Sequence, residues 1–246
     1  MSHTALRRLA IRLLHDPDLV DALHRNAGAV LGGLDFSDDE RAWLLAVPPA
    51  AWRTDPHRPG RVLAAVRDEF PAAFAMAPGR AEGFFRSPHF HAAVQHRGSL
   101  AVAFGMHMAE DADVRVASIA RLETATALVR RAPRRIPPSE PACLRLTPAA
   151  RVLRERAGAT EALAAVRAGR RHPGLGAHDQ PVLVLRDAAS GDVTMEHLSG
   201  ELADLLLSAE NPTSRAALTA RVRETGAEPV DADAIVDELV AARILV

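Results

Sequence analysis

Aromatic side chains are scarce in this chain: seven Phe, two Trp and no Tyr among 246 residues. An interior of this size must therefore be assembled from Ala, Leu and Val. Ala and Leu lose little freedom in a helix, so the composition favours helices over a large sheet. With 48% hydrophobic residues, the chain can bury one large core or two small ones. Low-complexity and collagen-like classes are excluded.

The basic residues exclude more. All thirty are Arg, with no Lys anywhere. A Schiff base, a P-loop lysine and a tyrosine acid or base are all ruled out. Cys143 is the single cysteine, which excludes an intramolecular disulfide and a cysteine-based zinc or iron–sulfur site. The first nineteen residues alternate charged and apolar side chains at helical spacing and lack the apolar core of a signal peptide. No stretch approaches the ~20 apolar residues that span a bilayer. A cytoplasmic location and no membrane partner are expected.

A net charge of -1 hides an asymmetry. Residues 1–124 carry 14 Arg and 15 acids, residues 125–180 carry 11 Arg and 4 acids, and residues 181–246 carry 5 Arg and 12 acids. A basic belt is followed by an acidic tail, which implies surfaces with different roles.

Helical signals dominate the first part. Leu6, Leu9, Ile11, Leu13 and Leu14 mark an amphipathic helix that Asp16-Pro17 closes. A second helix should run from there through Leu19, Leu23 and Val30 to Gly32-Gly33. Ser37 followed by Glu40 is a capping box, opening a helix that passes Trp43 and Leu45 and stops before Pro48-Pro49. Further helices are expected from Arg61 to Phe70, Gly79 to Phe85, Ser87 to Gln95 and Ser99 to Glu110. Asp113 to Arg131 completes the series, with Val116, Ile119, Leu122, Ala125 and Val129 on one face.

The run from Arg134 to Pro141 contains three prolines and reads as a linker. Cys143 to Leu146 reads as a short strand, residues 148–168 as helix, and His172 to Gln180 as loop. Pro181 to Arg186 and Asp192 to Glu196, joined through Ser190-Gly191, read as a β-hairpin. Three helices follow, Ser199 to Ala209, Ser214 to Thr225 and Asp231 to Arg243, with Ile244 to Val246 as a closing strand. The expected fold is mainly α, an N-terminal helical domain plus a small C-terminal α+β winged-helix-like module. The expected division is 1–135 for the helical domain, 136–180 for a basic connector and 181–246 for the module.

No motif assembles a catalytic set. His89, His91, His96 and His107 could in principle bind metal, but His89 and His91 are two apart on a helix and point to different faces. There is no G-x-S-x-G, Cys143 lacks any nucleophile signature, and Gly174-Leu-Gly176 has no phosphate-loop context. Asp38-Asp39-Glu40 is explained as a helix start. The expectation is no catalytic residue, no metal ligand and no cofactor on this chain, which is not an enzyme by itself.

A winged helix often reads DNA, so a DNA-binding regulator is the alternative. The acidic tail argues against it, because its last helix holds four acids and one Arg. Peptide binding remains, with an extended peptide added to a strand edge beside a helix. Val182, Val184, Val193 and Met195 of the hairpin and Ile235 and Leu239 of the last helix are the candidate peptide-binding residues, with Val240 beside them.

Several stretches carry a family resemblance. They are Arg41-Ala-Trp43 through Val47, Trp52-Arg-Thr-Asp55, Asp68-Glu-Phe-Pro71, Phe84 to Phe90, Ala101 to Phe104, Leu122-Glu123 and Arg130-Arg131. Over residues 5–132 the chain resembles the partner-protein family of multinuclear non-haem iron-dependent oxidative enzymes that modify ribosomally made peptides. Leu198-Ser-Gly200, Leu202 to Leu207 and Ile235 to Leu245 make residues 181–246 similar to leader-peptide recognition modules. The resemblance implies a partner subunit that carries no iron, holds the leader of a precursor peptide and docks on a separate iron-bearing oxidative enzyme.

Overall fold

Proline and serine divide the chain into short helices. The structure, a computed structural model, describes residues 3–55, 57–133, 143–171, 174–226 and 228–246. It falls into two compact units, Met1–Ala120 and Arg121–Val246. The first holds α1 (His3–His15), α2 (Pro17–Arg25), α3 (Ala27–Leu31), α4 (Asp38–Ala46), α5 (Pro49–Trp52), α6 (Arg58–Glu69), α7 (Pro71–Met76), α8 (Pro78–Glu82), α9 (Pro88–Gln95) and α10 (Leu100–Ala109). A 3-10 turn, Gly83–Arg86, precedes α9, and α11 (Val114–Arg131) begins in this unit and runs on into the second.

Pro17, Pro49, Pro71, Pro78 and Pro88 each open a helix. Their missing N–H falls where no helical bond is due. Asp16, Asn26, Ser37, Ser87 and Ser99 cap helix starts with side-chain oxygens. The Ser37–Glu40 capping box is complete, with Glu40 N–H to Ser37 Oγ at 3.2 Å and Ser37 N–H to Glu40 Oε2 at 2.9 Å. Asn26 ends α2 and starts α3, so the single helix expected from Pro17 to Gly33 is two. The helix expected over Gly79 to Phe85 is instead α8 followed by the 3-10 turn. The helices α5 and α7 are additional to the expected series, Pro49 opening the one and Pro71 the other.

Phe rings fill the middle of this unit. Phe84 lies 5.3 Å from both Phe90 and Phe104, and Phe104 lies 5.6 Å from Phe70. A second cluster packs Leu9, Leu13, Val20, Leu23, Leu44 and Trp52.

The second unit adds strands: β1 (Cys143–Leu144), β2 (Ala150–Arg156), β3 (Asp179–Arg186), β4 (Val193–His197) and β5 (Thr213–Ser214). Its further helices are α12 (Ala159–Arg167), α13 (Gly200–Ser208), α14 (Arg215–Glu224) and α15 (Pro229–Ala241). The expected hairpin is β3–β4, and β2 joins it to give an antiparallel sheet in the order β2-β3-β4. The helix expected over residues 148–168 is corrected to strand β2 and helix α12. Its Arg, Ala, Leu and Glu are good helix formers, but pairing with β3 overrides local preference, and Gly158 at φ 83° turns the chain between the two. The strand at Cys143 is present and pairs with β5. In place of a closing strand, Leu245 makes an isolated bridge to Leu146. The linker expected from Arg134 to Pro141 lies outside the described residues, as do two residues of the 172–180 loop.

Alternation sets the two faces of the sheet. Ala150, Val152 and Leu183 face a core shared with Leu205 and Leu206 of α13, Leu218 of α14 and Val236 of α15. The opposite face holds Glu155, Val182 and Val184. There, Arg121 of α11 makes a double bond pattern to Glu155, 2.7 Å to each oxygen. Arg186 donates to the carbonyl oxygens of Arg130 and Ala132 at 2.9 and 2.8 Å. The later turns of α11 therefore run along this face, and Arg167 of α12 reaches the buried Glu123 of α11 at 3.2 Å.

Candidate functional site

The outer strand β4 is paired on one side only. Asp187 N–H donates to Asp192 C=O at 2.8 Å and Leu198 N–H to Pro181 C=O at 3.0 Å. In an antiparallel ladder, bonded and non-bonded pairs alternate. The backbone groups of Thr194 and Glu196 therefore face β3, opposite Leu185 and Leu183. Those of Val193, Met195 and His197 point outward, and no described backbone group pairs with them. Three consecutive outward N–H and C=O sets form a template for an added strand. The other outer strand, β2, is guarded by charge: Arg154 pairs with Asp204 and Arg156 with Asp179.

The six residues singled out from the sequence fall into two groups. Val193 and Met195 are half-buried on β4, Met195 directly opposite Val184 and Val193 opposite Arg186. Val182 and Val184 on β3 are fully buried, and Leu239 on α15 is buried with the helix cluster. Ile235 is half-buried against the same cluster. The side chains of Val182, Val184 and Leu239 are thus committed to the interior and offer no surface. The reason is that α11 covers one face of β3 and that α15 spends its apolar stripe on α14 and the core. The sheet packs chiefly on α13.

Sequence reasoning did not single out His197. It closes β4, its Nδ1 lying 2.8 Å from Gln180 Nε2 and its Nε2 2.7 Å from Thr160 Oγ1. Alternation from Val193 through Met195 would have reached it. At the other end of β4, Ser190 and Ala189 N–H groups bond the Asp187 carboxylate at 2.6 and 2.9 Å. These bonds, that of Ser190 first, hold its pKa below the usual carboxylate value.

The acids of α15 lie over the arginines of α14. Arg215 pairs with Asp237, Arg223 with Asp233 at 3.6 Å, and Thr219 donates to Asp233 at 2.9 Å.

The histidines of the first unit are engaged separately. His89 bonds Glu110 at 2.8 Å, which lowers the Glu110 pKa. His91 bonds the Phe85 carbonyl and His107 the Arg80 carbonyl, each at 3.0 Å. Burial lowers the pKa of both, with Arg12 adding to the effect at His91. Among the described residues, no three His, Cys, Asp or Glu side chains gather as a metal-binding group. Cys143 is a free, half-buried thiol on β1. No described helix is long and apolar enough to cross a membrane. No protein-family model matches this chain, and no curated protein matches it significantly.

Proposed function

We propose that this chain is a non-catalytic partner subunit for peptide modification. It takes the leader of a ribosomally made precursor peptide as an added strand on β4 and presents the peptide to a separate iron-dependent oxidative enzyme. The observation that carries this reading is the open edge at Val193, Met195 and His197. Main-chain bonds would give affinity, and the half-buried Val193 and Met195 would offer apolar contact beside them. A hairpin followed by α13, α14 and α15 supports reading the C-terminal part as a winged-helix-like recognition module.

Holding the leader raises the effective concentration of the core peptide at the enzyme, so this subunit contributes by proximity rather than by chemistry. Iron belongs to the partner enzyme, and the setting is cytoplasmic. The α15 acids paired to Arg215 and Arg223 weigh against a phosphate-binding helix and hence against DNA regulation.

The test uses the full chain with an iron-dependent oxidative enzyme and a short precursor peptide sought among the neighbouring genes. Both should co-purify with the chain, and the labelled peptide should bind the chain directly. Met195→Pro removes one outward N–H, a change that an edge strand tolerates. It should weaken peptide binding at least tenfold with the far-UV spectrum unchanged. Unchanged affinity in a folded Met195→Pro variant, or no complex with either partner, would contradict the proposal.

A further inference from the structure

Where the β3–β4 turn meets the C-terminal ends of α15 and α11, the second unit has a pocket of about 920 Å³. Arg130 of α11, Arg186 of β3 and Arg243 just past α15 line it, with Asp187 the one acidic side chain among the lining residues. Asp187 Oδ1 accepts from the N–H groups of Ala189 and Ser190 in its own turn. Arg186 is fixed by backbone carbonyls at the C-terminal end of α11, which carry no formal charge. Arg130 and Arg243 make no ion pair among the described residues. A concave site lined by arginines suits carboxylate recognition.

Arg243 supplies a second, independent observation. It sits at φ 56°, in the left-handed region. Its N–H bonds Val240 C=O and the Ile244 N–H bonds Leu239 C=O, both at 2.9 Å. That is a Schellman closure of α15, whose left-handed position favours glycine. A cation in the last turn would satisfy the helix dipole without strain. Arg97 closes α9 in the same left-handed conformation, and what distinguishes Arg243 is that it also lines the pocket.

We infer that this pocket is a subsite for acidic side chains of the bound peptide. The inference rests on the strand-addition reading: the turn that walls the pocket leads straight into Val193, so a peptide paired along β4 leaves the edge beside the arginines. The peptide is therefore one with Glu or Asp next to its strand-forming segment.

Binding of fluorescein-labelled hexaglutamate and hexaglutamine to the full chain tests this by anisotropy. Hexaglutamate should bind at least tenfold tighter at low salt, with the difference shrinking as salt rises. Arg243→Gly should raise the melting temperature yet reduce hexaglutamate affinity at least threefold, and Arg130→Gln with Arg243→Gly should erase the preference. A merely structural arginine would not move these two readouts in opposite directions. Met195→Pro should leave hexaglutamate binding intact, so loss of strand addition and loss of the subsite are distinguishable. Equal affinity for the two peptides overturns the subsite. So does duplex DNA bound through the same arginines without any hexaglutamate preference.

Discussion

The two units make an interior by opposite means. All seven Phe and both Trp lie between Phe36 and Phe104, and no Phe, Trp or Tyr occurs after that. The first unit packs short, proline-started helices around touching Phe rings, which fill the irregular space between helices meeting at many angles. The second has no Phe, Trp or Tyr and needs none, because a sheet between helices presents faces that Ala, Val and Leu can cover. Polar burial differs too. The first unit buries His107, half-buries His15 and His91 and sets one buried acid, Asp16, against Arg86, whereas the second buries two, Glu123 and Glu155, against Arg167 and Arg121. A sheet brings an edge with it, and the unit that gave up aromatics for strands is the one with an open template on its surface.

Because both tryptophans sit in the first unit, their fluorescence reports on that unit, and substitutions can test the contrast in order of expected effect. Phe84 is fully buried among Phe85, Phe90 and Phe104. Phe84→Ala should cost about 4 kcal/mol in denaturant unfolding followed by Trp emission; a loss below about 1 kcal/mol would mean the ring cluster is not the core. Next is the buried pair. The Glu155 side chain is 1% exposed, so Arg121→Ala, which removes its guanidinium, should cost about 3 kcal/mol by far-UV unfolding. Adding Glu155→Leu should recover most of that; no recovery would show that charge burial is not the cause.

Acid should separate the units further. Burial holds His15, His91 and His107 below their ordinary 6.5, and all three belong to the first unit. The unfolded chain therefore takes up protons first as pH falls below 6.5. Stability from these groups is full above that pH and declines towards the lowered folded values. The Trp-detected midpoint should fall between pH 7 and pH 5, and a flat profile would contradict this. The smallest effect is a gain: Arg243→Gly should stabilise by about 1 kcal/mol through relief of the left-handed position.

Much of this was legible where a local rule acts alone. Ser37 with Glu40 announced a capping box, and Ser190-Gly191 between two β-rich runs announced the hairpin. Pro49 and Pro71 misled because the same ring that ends one helix starts the next. Residues 150–156 misled because their strand exists only through pairing with β3, a distant partner. The candidate site was half legible. Val193 and Met195 sit on the open edge, yet nothing local reveals that α11 covers Val182 and Val184. Arg130, Arg186 and Arg243 come together only when three elements meet, so no spacing in the chain announces their pocket.

Amide hydrogen exchange on β4 tests the central claim most directly. With the precursor peptide added to the full chain, the outward amides of Val193, Met195 and His197 should exchange markedly more slowly, while those of Thr194 and Glu196, already bonded to β3, should change little. Protection that leaves these three amides untouched, or that appears elsewhere instead, would contradict strand addition at this edge.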